Sequence, residues 1–227
     1  MNWQRHVTCG EYEGRKVAIK TNKKIKGFRD FILVFAYVLT SVITLHPSSP
    51  HPLGALLVQN ESIVMREMLR KLDILCPTLM YIGKKVIIEE FIEGGNLYSL
   101  FEKRGDHSLA SNAAILTARL HNSNLVFLDN KAENYLINSQ KQLVRTDLSL
   151  IMSDDSVFSR SMDIASFLAS IMDLGSSEYR EIHNTFISAY EKEAGTPCPY
   201  LYIILRNILA LGFSSNRYNT FMNMIRS

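Results

Sequence analysis

Two short runs open the chain, residues 4–9 and 15–21, and read as the strands of a hairpin whose turn is bracketed by Gly10 and Gly14. Residues 61–73 predict a helix, and 79–82 and 85–91 predict two short strands around Gly83 and Lys84. From Asn96 onward the pattern turns helical. Over 109–122 the apolar residues Leu109, Ala113, Leu116 and Leu120 recur at helical spacing. Two strand candidates follow, 134–138 and 142–146, and from Ser161 the chain reads mainly as helices broken at Gly175, Gly195 to Pro197, and Gly212. A strand-rich front joined at 92–96 to a helix-rich back is an α+β, two-lobe plan.

Charge changes this picture at one place. Residues 11–30 are rich in charged side chains, among them Lys16, Lys20, Lys23, Lys24 and Lys26, and then no Asp, Glu, Lys or Arg occurs from Phe31 to Asn60. The first half of that stretch, residues 31–45, is mostly bulky and apolar, but it is shorter than the roughly 20 residues a membrane-spanning helix needs and is diluted by Thr40, Ser41 and Thr44. It reads as a buried helix ended by the proline-rich run from His46 to Pro52, with membrane or partner docking as the alternatives.

Composition narrows the class. With 227 residues, 47% of them hydrophobic, the chain can bury a sizeable core and is not a disordered tail. The balance of 25 basic against 22 acidic residues gives no electrostatic signal for nucleic acid. Three scattered cysteines, Cys9, Cys76 and Cys198, suit reduced thiols, and the polar N-terminus lacks a signal-peptide core, so the expected compartment is cytoplasmic. The six histidines form no metal-ligand spacing, and no nucleophile elbow is present.

The densest chemistry lies between Leu120 and Ile137. Asp129 and Asn134 fit a D-x-x-x-x-N loop, in which an aspartate orients an attacking hydroxyl and an asparagine holds a metal ion. Thirteen residues past Asn134 comes Asp147, placed at a strand end as a second metal ligand, and such hard oxygens suit Mg²⁺ together with phosphate.

On these residues the chain resembles the eukaryotic-type protein-kinase superfamily. Leu120 to Ile137 is similar to that family's L-H-x-x-x-I-V-H-R-D-L-K-P-E-N-I-L-I segment, and Asp147 to the aspartate of D-F-G. Val17-Ala18-Ile19-Lys20 resembles the V-A-I-K strand, whose lysine pairs the ATP phosphates. Arg66 to Leu72 resembles the helix whose glutamate, here Glu67, pairs with that lysine, and Glu61 competes for the role. Ile88 to Leu97 resembles the hinge, which implies adenine hydrogen bonds to the backbone of Glu90 and Ile92. Glu89 then falls where the family has a bulky apolar residue, and a carboxylate buried there needs a partner, either a nearby lysine or the adenine amine. Ser161 to Leu168 resembles the start of the helix whose aspartate, here Asp163, accepts hydrogen bonds from the catalytic-loop backbone. Without that role, Asp163 is a helix cap or surface decoration.

The departures are equally specific. Gly10-Glu11-Tyr12-Glu13-Gly14 replaces the glycine-rich phosphate loop and puts two acidic side chains in it. Phe127-Leu128 replaces the H-R before the catalytic aspartate, and Leu148-Ser149 replaces F-G. Only 16 positions separate Asp147 from Asp163, too few for a full activation segment. These features resemble the reduced, atypical branch of the family that includes the RIO kinases and the small KEOPS-associated kinase.

The resemblance therefore implies a two-lobed protein-kinase-like fold, with an N-lobe over 1–91 carrying an uncharged insertion at 31–60, a C-lobe over 92–227, and a hinge at 90–96. It implies ATP and Mg²⁺ as cofactors and a Ser/Thr protein substrate or partner complex. Asp129 and Lys131 are the implied catalytic pair, Asn134 and Asp147 the metal ligands, and Lys20, Glu67, Glu89, Glu90 and Ile92 the nucleotide contacts. A pseudokinase or ATP-gated scaffold is the main alternative, and a small-molecule kinase of the aminoglycoside or choline type is a third reading.

Overall fold

A tight hairpin begins the structure, a computed structural model that describes residues 5–22, 37–45, 47–48, 55–83, 85–104 and 107–213. Strands β1 (Arg5–Tyr12) and β2 (Arg15–Asn22) pair antiparallel, Cys9 facing Ala18 and Tyr12 facing Arg15. Their connection is the dipeptide Glu13-Gly14, with φ of 50° and 72°. Positive φ at both positions is the type I′ geometry that matches strand twist, and glycine takes it without a Cβ penalty. The turn is thus shorter than the expected Gly10–Gly14 bracket, because Gly10 lies within β1 opposite Val17.

Strands β3 (Leu79–Ile82) and β4 (Val86–Glu90) complete a four-stranded antiparallel sheet in the order β1-β2-β4-β3. Before them, residues 37–43 are helical (α1), followed by α2 (Ala55–Gln59) and α3 (Ile63–Lys71). Residues 31–36 of the expected apolar helix lie outside the described residues. The expectation of a buried helix is corrected within α1. Ser41 is buried, whereas Val42 and Ile43 are 55% and 69% exposed, so only one side of α1 packs inward. Among the described residues no helix is long and apolar enough to cross a membrane.

Beyond residue 96 the chain is dominated by helices: α4 (Leu97–Arg104), α5 (Leu109–Asn122), α6 (Val157–Ser170), α7 (Ser176–Ala194) and α8 (Tyr202–Phe213). The architecture is α+β, a small antiparallel sheet in front of a helical body. Two short two-stranded ladders decorate that body: β5 (Leu125–Val126) with β8 (Met152–Ser153), and β6 (Tyr135–Ile137) with β7 (Leu143–Arg145). Helix α6 starts four residues before the expected Ser161 because Ser156 caps it, its Oγ accepting from the Ser159 amide. Gly195 closes α7 in the left-handed conformation (φ 69°), as its expected break requires, while α8 runs through Gly212 to Phe213 without one.

The core sits in the helical body. Phe127, Tyr135, Phe167 and Phe186 form a continuous run of rings, edge-on at 6.4 and 6.2 Å and then stacked at 4.4 Å, all essentially inaccessible. Each such ring contributes roughly 1.5–3 kcal/mol by burial. Phe127 and Tyr135 flank the Asp129–Asn134 loop, so the loop's two ends are set in the best-packed part of the molecule.

Sheet and body meet through the Gly94-Gly95 link. Gly94 N donates to the Ile137 carbonyl at 3.0 Å, and Ile137 N donates back to Gly95 O at 3.0 Å. A Cβ on Gly94 would lie 2.1 Å from that same carbonyl oxygen, so only glycine permits the approach.

Candidate functional site

The loop between β5 and β6 is assembled from its neighbours. The Asp163 carboxylate on α6 accepts from the backbone amides of Phe127 (2.7 Å) and Leu128 (2.6 Å), and lies 3.1 Å from His121 Nε2 on α5. His121 is fully buried and its other ring nitrogen meets the Tyr190 hydroxyl at 2.8 Å. Asn130 donates from Nδ2 to Thr117 Oγ1 and to the Asp163 carbonyl, and Ala132 N donates to Ser170 Oγ at 3.0 Å. Leu128 is held at φ 60°, costly for a branched side chain and tolerated because these bonds over-determine it.

Asp129 emerges from this frame with its side chain 23% exposed. One carboxylate oxygen touches Lys131 Nζ, and the other accepts from Asn134 Nδ2 at 3.3 Å, which also donates to the Asp129 carbonyl at 2.8 Å. Burial opposes its ionisation, but Lys131, Arg145 and Asn134 more than offset it and hold Asp129 below the usual aspartate value. Because Asn134 spends its amide nitrogen on Asp129, its Oδ1 lies outside those bonds.

Arg145 is the support that sequence reasoning missed. Its guanidinium is fully buried at the end of β7, 4.4 Å above the Phe127 ring and 5.1 Å from that of Tyr135, and Nη2 donates to the Asp129 carbonyl at 2.8 Å. Nothing in Gln142-Leu143-Val144-Arg145-Thr146 marks this arginine as buried rather than exposed.

The second half of the site is a buried chain of alternating charge. Lys20 on β2 and Glu89 on β4 lie on one face of the sheet as a diagonal pair, since Ala18 faces Glu89 and Lys20 faces Ile87. Lys20 Nζ contacts Glu89 Oε1 at 2.7 Å, and Arg66 Nη2 contacts Glu89 Oε2 at 2.8 Å and Glu61 Oε2 at 3.1 Å. All four side chains are nearly inaccessible. Burial works against the Lys20 ammonium, yet Glu61, Glu89 and Asp147 raise its affinity for the proton above the ordinary value. Burial likewise opposes the Glu89 carboxylate, and Lys20 and Arg66 hold it below the ordinary range.

Two sequence expectations are decided here. Glu67 is exposed on α3 and is not the partner of Lys20; Arg66 and Leu69 are the residues that α3 turns inward, and the carboxylate on Lys20 is Glu89's. Glu89 takes the lysine alternative, with both oxygens engaged by Lys20 and Arg66.

The halves meet at Thr146. Lys20 Nζ donates to Thr146 Oγ1 at 3.0 Å, and that hydroxyl donates to Glu89 Oε1 at 3.2 Å. Asp147 follows directly, at φ 57°, with Oδ1 accepting from Ser149 Oγ at 3.0 Å. Leu128 and Asp147 both take the left-handed conformation, as Glu13, Leu45, Asp73, Asn124 and Lys141 also do. Glu90, at the end of β4, is fixed by Thr78, whose N and Oγ1 donate to Glu90 Oε2 at 3.0 and 2.9 Å, and Ile92 lies two residues further, before the turn into Gly94.

Among the described residues no group of three or more His, Cys, Asp and Glu side chains converges as a metal site. Asp147 and Asn134, the expected metal ligands, carry hard oxygens of the kind that suits Mg²⁺. No family model matches the chain, and no curated protein matches it.

Proposed function

We propose that the chain is an ATP- and Mg²⁺-dependent, protein-kinase-like phosphotransferase of reduced, atypical type, with its N-lobe over 1–91, its C-lobe over 92–227 and its hinge at 90–96. The observation that carries this reading is the 3.0 Å contact between Lys20 and Thr146, residues 126 positions apart, which brings the V-A-I-K-like lysine beside Asp147. In this reading Lys20 holds the α- and β-phosphates, fixed by Glu89 where the sequence resemblance assigns Glu67. The backbone of Glu90 and Ile92 takes the adenine. Asn134 and Asp147 would hold Mg²⁺, which neutralises charge on the phosphate oxygens.

Asp129 orients the acceptor hydroxyl and takes its proton as the oxygen–phosphorus bond forms and the bond to the β-phosphate oxygen breaks. Lys131, already against Asp129, offsets the charge on the transferring group. The acceptor is a Ser/Thr hydroxyl of a protein, or water.

A second reading, an ATP-gated scaffold, is favoured by the β1–β2 hairpin, where Glu11 on β1 and Glu13 in the turn stand in place of a glycine-rich phosphate loop and repel phosphate. Calorimetry with Mg-ATP, followed by labelled-ATP transfer by wild type and Asp129→Ala, separates the two. The phosphotransferase reading expects binding, label on protein or released as phosphate, and a rate loss of about 10²–10⁴-fold in the variant. Binding without any transfer supports the scaffold, and no binding overturns both.

A further inference from the structure

The chain travels from Asp147 to the start of α6 in nine residues, 148–156, and the charge-free stretch between β2 and α3 fastens that passage at both ends. At its start, Asn60 Nδ2 donates to the carbonyls of Ser149 (2.9 Å) and Ile151 (2.6 Å), two and four residues past Asp147. At its end, the Tyr37 hydroxyl shares a 2.6 Å hydrogen bond with Ser159 Oγ, and its ring meets Phe158 edge-on at 5.1 Å. Ser159 Oγ in turn donates to Asp154 Oδ2 at 2.9 Å, and Asp154 Oδ1 accepts from the Ser156 amide at 2.7 Å. Between these anchors Leu148 and Ile151 are buried, Asp154 N donates to Asn124 O at 3.0 Å, and β8 is laddered to β5.

We infer that Tyr37 and Asn60 form an internal clasp that sets the Asp147 segment permanently, doing the work of a switchable activation segment. Such segments regulate by passing between ordered and disordered states, commonly under phosphorylation. Here the segment is nine residues long and is bonded at Ser149, Ile151 and Asp154. Ser149, whose hydroxyl donates to Asp147 Oδ1, has its carbonyl held by Asn60, so the clasp reaches Asp147 through a single residue. Leu128, standing where an arginine would read a phosphorylated segment, is consistent with a site assembled without modification. The statement about regulation rests on the phosphotransferase reading; the clasp itself does not.

Hydrogen exchange on the full-length protein tests the clasp. Asn60→Ala removes the bonds to Ser149 and Ile151, and amide exchange over 148–156 is expected to accelerate about tenfold while α5 is unchanged. Tyr37→Phe deletes one oxygen and keeps the ring on Phe158, so it preserves packing and is expected to accelerate exchange over 154–160 a few-fold. Rates within about twofold of wild type in both variants overturn the clasp. Mg-ATP calorimetry on phosphatase-treated and untreated wild type tests the regulatory statement. Affinities equal within about twofold support it, and a loss of about tenfold on dephosphorylation overturns it. If untreated wild type binds no Mg-ATP, the phosphotransferase reading and its regulatory corollary fail together, while the exchange measurement still decides the clasp.

Discussion

On the sheet side of the site, Lys20 is positioned by charge: Glu89, Arg66 and Glu61 alternate in sign through a region closed to water. On the loop side, Asp129 sits in a mixed frame: Lys131 and Arg145 contact it directly, while the loop backbone is held by the Asp163 carboxylate, the side chains of Asn130 and Ser170, and the rings of Phe127 and Tyr135. The two designs fail differently. A buried charge chain concentrates its stability in each link, because deleting one member strands another charge away from solvent. A distributed frame of hydrogen bonds and packed rings spreads the same task over many small terms.

The largest expected effect is therefore Glu89→Gln, which leaves Lys20 and Arg66 facing a neutral amide and should destabilise the fold by about 3–5 kcal/mol in urea unfolding. A pH series sharpens this. Glu89 is depressed below its ordinary 4.5 and Lys20 raised above its ordinary 10.5. The carboxylate's contribution is thus complete above about 4.5 and lost as pH falls through its lower folded value. The ammonium's contribution is complete below about 10.5 and lost as pH rises through its higher folded value. Unfolding free energy should show these losses at the two extremes in wild type, and both should shrink in Glu89→Gln. If the variant matches wild type in urea and across pH, the charge chain does not hold the sheet side.

Asp163→Asn is next. It sets an amide donor against the Phe127 or Leu128 N–H and removes the charge assistance, an expected cost of about 1.5–3 kcal/mol in urea unfolding. A cost above the Glu89 variant's would invert the comparison. Ser156→Ala removes the α6 cap and should cost about 1 kcal/mol by thermal unfolding. The smallest effect is expected at Lys16→Ala. Lys16 also sits on β2 and also meets a glutamate, Glu93 at 3.3 Å, but the two side chains are 54% and 77% exposed, so screening reduces the pair to at most about 0.5 kcal/mol. Its exposed contact with the Phe91 ring at 4.2 Å is comparably small. A lysine–glutamate pair four residues along the same strand thus serves as an internal control for burial.

Much of the fold was legible because it is written at short range. The 109–122 helix shows its apolar stripe directly, and Ala113, Leu116 and Leu120 are buried as that stripe requires. The contact of Asn134 with Asp129 joins residues five positions apart and lies within the spacing visible in the sequence. Glu89 was legible as a carboxylate in need of a partner, though not which partner. The Glu67 expectation failed for a physical reason: Arg66 and Glu67 are adjacent on α3, and a helix turns about 100° between neighbours. Which of them faces inward is set by what α3 packs against.

Local pattern by itself determined the hairpin and the alternation of strands and helices, because turn preferences and apolar periodicity act between near neighbours. Only the tertiary structure decided that Glu89 holds Lys20, that Arg145 lies beneath Asp129, and that Tyr37 and Asn60 fasten the passage after Asp147. Those contacts join residues from 16 to 122 positions apart, and across such separations partner choice follows from packing, burial and the need to compensate every charge withdrawn from water.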